Sequence, residues 1–385
     1  MKKAVVLGMI LLALGVMAYA DGVTVGMDFG RTQFNVASNN GQSGADIMQG
    51  WTGPTNQFPL GQRLDFQFAW SNDHTGLNFT YYLMNAWGLP PTVKDQAGNL
   101  MGIVNAYGTL KFIPDMFSVY IGEFRGDGWD HFRLDSAHPI HDVDNNSVGR
   151  FAGWGAIFDV APKGSGFEAA MFARLPDPTT QTYATLQTIS EATSQYDFAA
   201  QYTVPNTVTI GAGSTTFAFA PSSERNVFVQ GQLLMVPNLT IFDNFYYAGF
   251  DARPKKLTIF SDELAFSYDM KPLTIIFAGF FGGNSSGGSP DYGTALTSLY
   301  VANGNKNYTG WALDPEVIYN MGAVSLGLYA SISGVSVSGS GIGYQVEPYV
   351  KLNDFGCRIS FLYAGSTLSG TKATWEIPVE IDWGF

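Results

Sequence analysis

The chain closes on TWEIPVEIDWGF (Thr374–Phe385). Its odd positions are Trp375, Ile377, Val379, Ile381, Trp383 and Phe385; its even positions are Glu376, Pro378, Glu380, Asp382 and Gly384. Period-two alternation places the two sets on opposite faces of one β-strand, one avoiding water and the other seeking it. Termini fray unless something holds them, so a terminus this amphipathic is expected to be part of the fold.

The same alternation recurs upstream. Leu64, Phe66, Phe68 and Trp70 oppose Arg63, Asp65 and Gln67; Phe198, Ala200 and Tyr202 oppose Asp197, Gln201 and Thr203; Tyr344, Val346 and Val350 oppose Gln345, Glu347 and Lys351; Phe355, Cys357, Ile359, Phe361 and Tyr363 oppose Arg358 and Ser360. Each run is about 9–11 residues, the length a tilted strand needs to cross a bilayer. Between runs sit short turns: IPDM (Ile113–Met116), VPNT (Val204–Thr207) and VPNL (Val236–Leu239). Proline presets the second turn position, and the Asn or Asp side chain is expected to close the turn. Five more tight connections fall at 72–76, 161–165, 269–272, 320–322 and 352–355. Eight such turns bracket sixteen strands, and a first strand near 23–34 and the last bring the count to eighteen, with sixteen as the alternative. Pro315, Pro348 and Pro378 fall inside strands, where each costs a ladder bond or marks a bulge. Five opposite connections are longer, at 35–61, 87–101, 126–148, 176–193 and 283–309, and four stay short, at 220–224, 251–255, 334–340 and 366–372.

The beginning of the chain supplies a compartment. Lys2 and Lys3, an apolar run to Val16, and Ala18-Tyr19-Ala20 before Asp21 have the layout of a cleaved signal peptide over 1–20, leaving 21–385 as one domain. The mature chain carries 18 basic and 32 acidic side chains, a net charge of −14, which argues against nucleic acid as a partner. The lone Cys357 cannot form an internal disulfide, so pairing and packing must hold the fold. With no apolar run of 18 residues beyond the signal peptide, helical spans are excluded. Alternation alone does not separate a membrane barrel from a soluble β-sandwich. Aromatics at strand ends, such as Trp70, Trp311, Tyr319, Tyr363 and Trp383, favour the barrel, because an interfacial belt sits there.

With its signal peptide, tight-turn and long-loop strand pairs, and a terminal VEIDWGF, the chain resembles Gram-negative-type outer-membrane porins. The resemblance implies an all-β, transmembrane antiparallel barrel in outer-membrane lipid with short periplasmic turns. It implies that the barrel-insertion machinery reads the C-terminal strand through Trp383 and Phe385, and it admits a homotrimer. It also implies that the third long loop folds inward as a constriction; here that is 126–148, with Asp127, Asp130, His131, Arg133, Asp135, His138, His141, Asp142 and Asp144.

If apolar residues face lipid, their alternates face the lumen. That puts Asp28, Asp65, Asp159, Glu168, Asp197, Glu263, Asp314, Glu316, Glu347, Glu376, Glu380 and Asp382 inside, with Arg63, Lys111, Arg174, Lys351 and Arg358. An acid-rich lining lowers the barrier for cations, so a mildly cation-preferring pore for small hydrophilic solutes is expected. HPIHD and DVDNN in the long loop lack the further ligands that a transition-metal or calcium site needs, and neither a metal nor another cofactor is expected. No local motif joins nucleophile, base and oxyanion donors, and the reading is a non-enzyme. Scattered glycines are expected to permit curvature. Two alternatives stay open: a barrel transporter for hydrophobic compounds, for which inward Tyr82, Tyr107, Phe172, Phe228 and Tyr349 are suited, and a structural or adhesive surface protein.

Overall fold

The computed structural model describes residues 23–38, 62–84, 101–129, 132, 151–174, 195–218, 226–248, 259–284, 308–336, 341–368, 370 and 372–383. The first half of the sheet comprises β1 (Val23–Ser38), β2 (Gln62–Ser71), β3 (Thr75–Met84), β4 (Met101–Ile113), β5 (Phe117–Trp129), β6 (Phe151–Val160), β7 (Phe167–Arg174), β8 (Gln195–Val204) and β9 (Val208–Ala218). It continues with β10 (Asn226–Leu233), β11 (Leu239–Ala248), β12 (Ile259–Met270), β13 (Leu273–Asn284), β14 (Tyr308–Asn320), β15 (Val324–Val335), β16 (Gly343–Leu352), β17 (Cys357–Ser360), β18 (Leu362–Ser366) and β19 (Thr374–Trp383).

Pairing is antiparallel throughout, between strands that follow one another along the chain. β1 pairs both with β2 and with β19, so the sheet closes on itself and has no edge. β17 and β18 are two halves of one span, since both pair with β16 on one side and β19 on the other. Eighteen spans result, the number expected from the turns.

The interruption between β17 and β18 has a cause in neighbouring prolines. Phe361 N–H donates to Pro348 O at 3.0 Å, but Pro348 has no N–H to return the bond. Pro378 lies between Val379, paired with Ile359, and Glu376, paired with Leu362. In the same way the β14–β15 register skips from Leu313–Ile332 to Glu316–Tyr329 around Pro315. The predicted cost of all three prolines is therefore visible as gaps in the ladder.

The turns form where expected, but by a different bond. In the three Pro-Asn/Asp turns a backbone N–H closes the ring: Met116 to Ile113 at 3.0 Å, Thr207 to Val204 at 3.0 Å, and Leu239 to Val236 at 3.1 Å. The residue after proline takes left-handed backbone, with φ of 61° at Asp115, 55° at Asn206 and 62° at Asn238. Asn and Asp serve there because they tolerate that conformation, and the Asp115 side chain instead pairs with Lys163 of the next turn at 2.9 Å. At 72–75 and 320–322 an Asn side chain acts as expected, Asn72 Oδ1 accepting from the N–H groups of His74 and Thr75 and Asn320 Oδ1 from Gly322 N–H.

Burial inverts the rule for a soluble sheet. On the outer face Phe158, Ile210, Leu264, Leu313 and Leu328 are 38–57% exposed, while on the inner face Asp197, Glu263, Asp314, Glu316 and Glu347 are at most 2% exposed. A soluble sandwich would bury its apolar face against a second layer. Here that face is the outside of a closed sheet, as a lipid-facing surface requires. Asp243 and Asp262 depart from the pattern, being paired with Leu264 and Phe245 in the outward register; carboxylates on a lipid face cost less than Lys or Arg at the same depth. Among the described residues no helix is long and apolar enough to cross a membrane.

Candidate functional site: the inner face of the barrel

Alternation along each strand sends every second side chain inward. Inward-facing rings from β4 to β7 and β10 gather in one place. Phe124, Phe151, Phe172 and Phe228 are at most 1% exposed and form one cluster, with Tyr107, Tyr120 and Tyr246 packed against it. The rings meet in preferred geometries: Phe124 and Phe172 edge to face at 5.7 Å, Phe151 and Phe172 stacked at 6.1 Å, and Tyr107 and Phe124 stacked at 5.0 Å. Glycine makes the room. A Cβ at Gly155 would stand 2.5 Å from Phe172 Cε2, so the ring lies across a floor that has no side chain.

Phe132 joins this cluster. It is 0% exposed, its ring is 5.8 Å from that of Phe151, and it belongs to the long connection between β5 and β6. Phe132, which the expected constriction loop contains, is thus seated among inward-facing rings. Asp130, His131, Arg133, Asp135, His138, His141, Asp142 and Asp144 lie outside the described residues. Asp127 does not belong to the loop: β5 continues to Trp129, which pairs with Phe151 after a register shift, so Asp127 is part of the strand.

A second sector of the ring is polar. On β14 to β19 the inner face carries Asp314, Glu316, Tyr329, Glu347, Tyr349, Arg358 and Glu376, each at most 7% exposed. Tyr329 OH donates to Asp314 Oδ1 at 2.8 Å, and Tyr349 OH donates to Glu316 Oε1 at 2.7 Å. Arg358 Nη2 donates to Glu347 Oε1 at 2.8 Å, while its guanidinium carbon stands 4.2 Å from the centre of the Tyr349 ring. Tyr349 in turn lies over Gly327, where an added Cβ would collide with the ring. These glycines admit aromatic rings, a more specific role than the curvature expected from sequence.

Of the seventeen charged residues predicted inside, Asp28, Asp65, Asp382 and Arg63 have side chains outside the described set. The other nine acids and four basic residues occupy the inward phase of their strands. They are not equivalent in depth or contact. Lys111 sits at the tight-turn rim, its Nζ donating to the Asn72 carbonyl at 2.7 Å, away from the middle of the wall. Arg174 donates to Asp197 Oδ2 through Nε at 3.1 Å and Nη2 at 2.7 Å. Lys351 and Glu380 flank Arg358 across the ladder. Trp383 ends β19, paired with Gly30 of β1, and Phe385 lies outside the described residues.

Sequence reading missed Tyr329 and Phe132. Tyr329 was within reach, since Ser325, Gly327, Tyr329, Ser331 and Ser333 alternate with Leu326, Leu328 and Ile332 along β15. Phe132 stands in a polar stretch without periodicity, and nothing local marks it.

No protein-family profile and no curated protein sequence matches the chain. Among solved structures, OpdK of Pseudomonas aeruginosa is similar with a TM-score of 0.54 and 12% identity, the match covering 95% of this chain and 99% of that one. OprD of Pseudomonas aeruginosa is similar at 0.52 and 12%, covering 96% and 97%. A BenF-like porin of Pseudomonas fluorescens Pf-5 is similar at 0.52 and 13%, covering 94% and 98%. At such identities the likeness speaks for the fold, and it spans nearly the whole of each chain. The protein has the closed antiparallel barrel of the outer-membrane porins, the class its sequence resembles.

Proposed function

We propose that the protein is an outer-membrane channel for passive diffusion of small hydrophilic solutes, with a preference for cations. The observation that carries this reading is the charge of the inner face: of the predicted lining residues whose side chains are described, nine carboxylates and four basic groups take the inward phase, in a barrel whose outer face is apolar. An acidic lining lowers the electrostatic barrier for cations and raises it for anions. A barrel of eighteen spans is wide enough for an aqueous path. Residues 1–20 act as an export signal in this account, Asp21 begins the mature chain, and the C-terminal strand addresses it to the insertion machinery.

Swelling of liposomes containing the purified mature chain tests the reading. Neutral sugars and small organic cations are expected to enter faster than anions of matched size; entry of none of them sinks it. A second reading, a transporter for hydrophobic compounds, is favoured by one observation, the inward aromatic cluster around Phe172. It predicts the opposite pattern: no swelling with sugars, and uptake of an apolar fluorescent probe that stops when Phe172 is replaced.

A further inference from the structure

Two prolines cut the ladder along the two edges of one strand pair. Between β15 and β16 ten pairs run without interruption, from Val324–Leu352 to Ser333–Gly343. On the β14 side the register steps from Leu313–Ile332 to Glu316–Tyr329 at Pro315, two rungs short. On the β17–β18 side it steps from Tyr349–Ser360 to Val346–Tyr363 at Pro348, again two rungs short, with the bond from Phe361 N–H to Pro348 O spanning the gap. The far side of each proline is intact, Phe277 pairing with Pro315 and Leu328 with Pro348. Proline has no N–H with which to fill the rung on the near side. The two gaps lie at neighbouring heights, since Ala330 pairs with Val346 and Tyr329 with Glu347.

Side chains on the inner face span these gaps. Asp314 and Glu316 flank Pro315, and Glu347 and Tyr349 flank Pro348. Tyr329 of β15 donates to Asp314 of β14 at 2.8 Å, across the first gap. Tyr349 of β16 donates to Glu316 of β14 at 2.7 Å, reaching over β15 where Gly327 has no side chain to stop the ring. Arg358 of β17 donates to Glu347 of β16 at 2.8 Å, across the second gap. A hydrogen bond to a carboxylate is roughly twice as strong as a neutral one, so these three bonds suit the places where rungs are missing. By contrast β12 and β13, which contain no proline, pair through twelve unbroken rungs.

We propose that β15 and β16 form a latched panel of the barrel wall: the pair opens locally, as a unit, along its two edges, and the Tyr329–Asp314, Tyr349–Glu316 and Arg358–Glu347 bonds hold it shut from the lumen. Local opening costs least where the fewest backbone bonds must break, and both edges of this one pair have lost rungs. Because the latches face the lumen, side chains rather than the ladder set how often the panel opens. The panel goes beyond the diffusion-channel reading and does not depend on it.

The test is amide hydrogen exchange of the purified mature chain in detergent micelles, followed by mass spectrometry of peptic fragments. In the parent, fragments covering 326–331 and 346–350 are expected to exchange at least about tenfold faster than those of β12 and β13. Tyr349→Phe removes the hydroxyl and keeps the ring over Gly327. It is expected to speed exchange in β15 and β16 by about tenfold or more, the worth of one hydrogen bond to a charged group, and to leave β12 and β13 unchanged. Tyr329→Phe is expected to act likewise, and it carries the readout if the first variant does not assemble. Protection of β15 and β16 in the parent equal to that of β12 and β13 overturns the panel. So does a variant that leaves β15 and β16 unchanged, or one that speeds both strand pairs alike, which is the mark of a bond that only stabilises the barrel as a whole.

Discussion

The ion pair between Arg358 and Glu347 offers a way to ask how dry the polar wall is. Its side chains are 8% and 1% exposed, and the bond is 2.8 Å long. Replacing Arg358 with Met keeps length and contact with the Tyr349 ring but leaves Glu347 without its guanidinium; Glu347→Gln leaves Arg358 without that carboxylate, beside Lys351 in the ladder. Breaking a buried pair from one side costs about 3–5 kcal/mol, because the remaining charge stays desolvated. That corresponds to roughly a hundredfold to several-thousandfold in the folding equilibrium. The double variant removes both charges and is expected to be no worse than either single one, giving a coupling of at least about 2 kcal/mol. Urea unfolding of the barrel in lipid vesicles, followed by tryptophan fluorescence, measures all four proteins. Single variants within about 1 kcal/mol of the parent and additive in combination would refute the argument, since that is the behaviour of a water-screened pair.

Three further outcomes follow from named contacts. Phe172→Ala removes the ring that joins Phe124 to Phe151 and is expected to cost about 3–5 kcal/mol in the same unfolding assay; Phe172→Leu should recover more than half of that. Asn206 holds φ at 55°, so Asn206→Gly should leave stability within about 0.5 kcal/mol, while Asn206→Val should lower it by about 1–2 kcal/mol. Removing Phe385 is expected to slow insertion into vesicles catalysed by the purified insertion machinery, with spontaneous folding in detergent unchanged; equal catalysed rates would discard its role as an assembly signal.

Why some of this was legible in the sequence and some was not has a physical basis. A strand with one lipid face and one lumen face writes its orientation into every second residue, so the inward phase of Asp314, Glu316, Glu347 and Glu376 followed from their neighbours. The Pro-Asn/Asp turns were readable because proline and positive φ each restrict the residues that fit, although the closing bond proved to be backbone to backbone. The break at Phe361 needed two prolines on different strands, Pro348 and Pro378, to be brought to one span, and pairing of that kind is invisible along the chain. Tyr349 over Gly327 and Phe172 over Gly155 likewise depend on cross-strand register. Phe132 reaches the aromatic cluster from a connection with no repeating pattern, so charge drew the eye to its neighbours while the anchoring contact is apolar.

An open, acid-lined path through a closed barrel should pass current. Single channels of the mature chain in planar bilayers, recorded across a KCl gradient, show whether it does. Stable ohmic steps are expected, with a reversal potential displaced toward the potassium equilibrium potential. Correctly inserted barrels that stay silent, or a reversal potential displaced toward chloride, would contradict it.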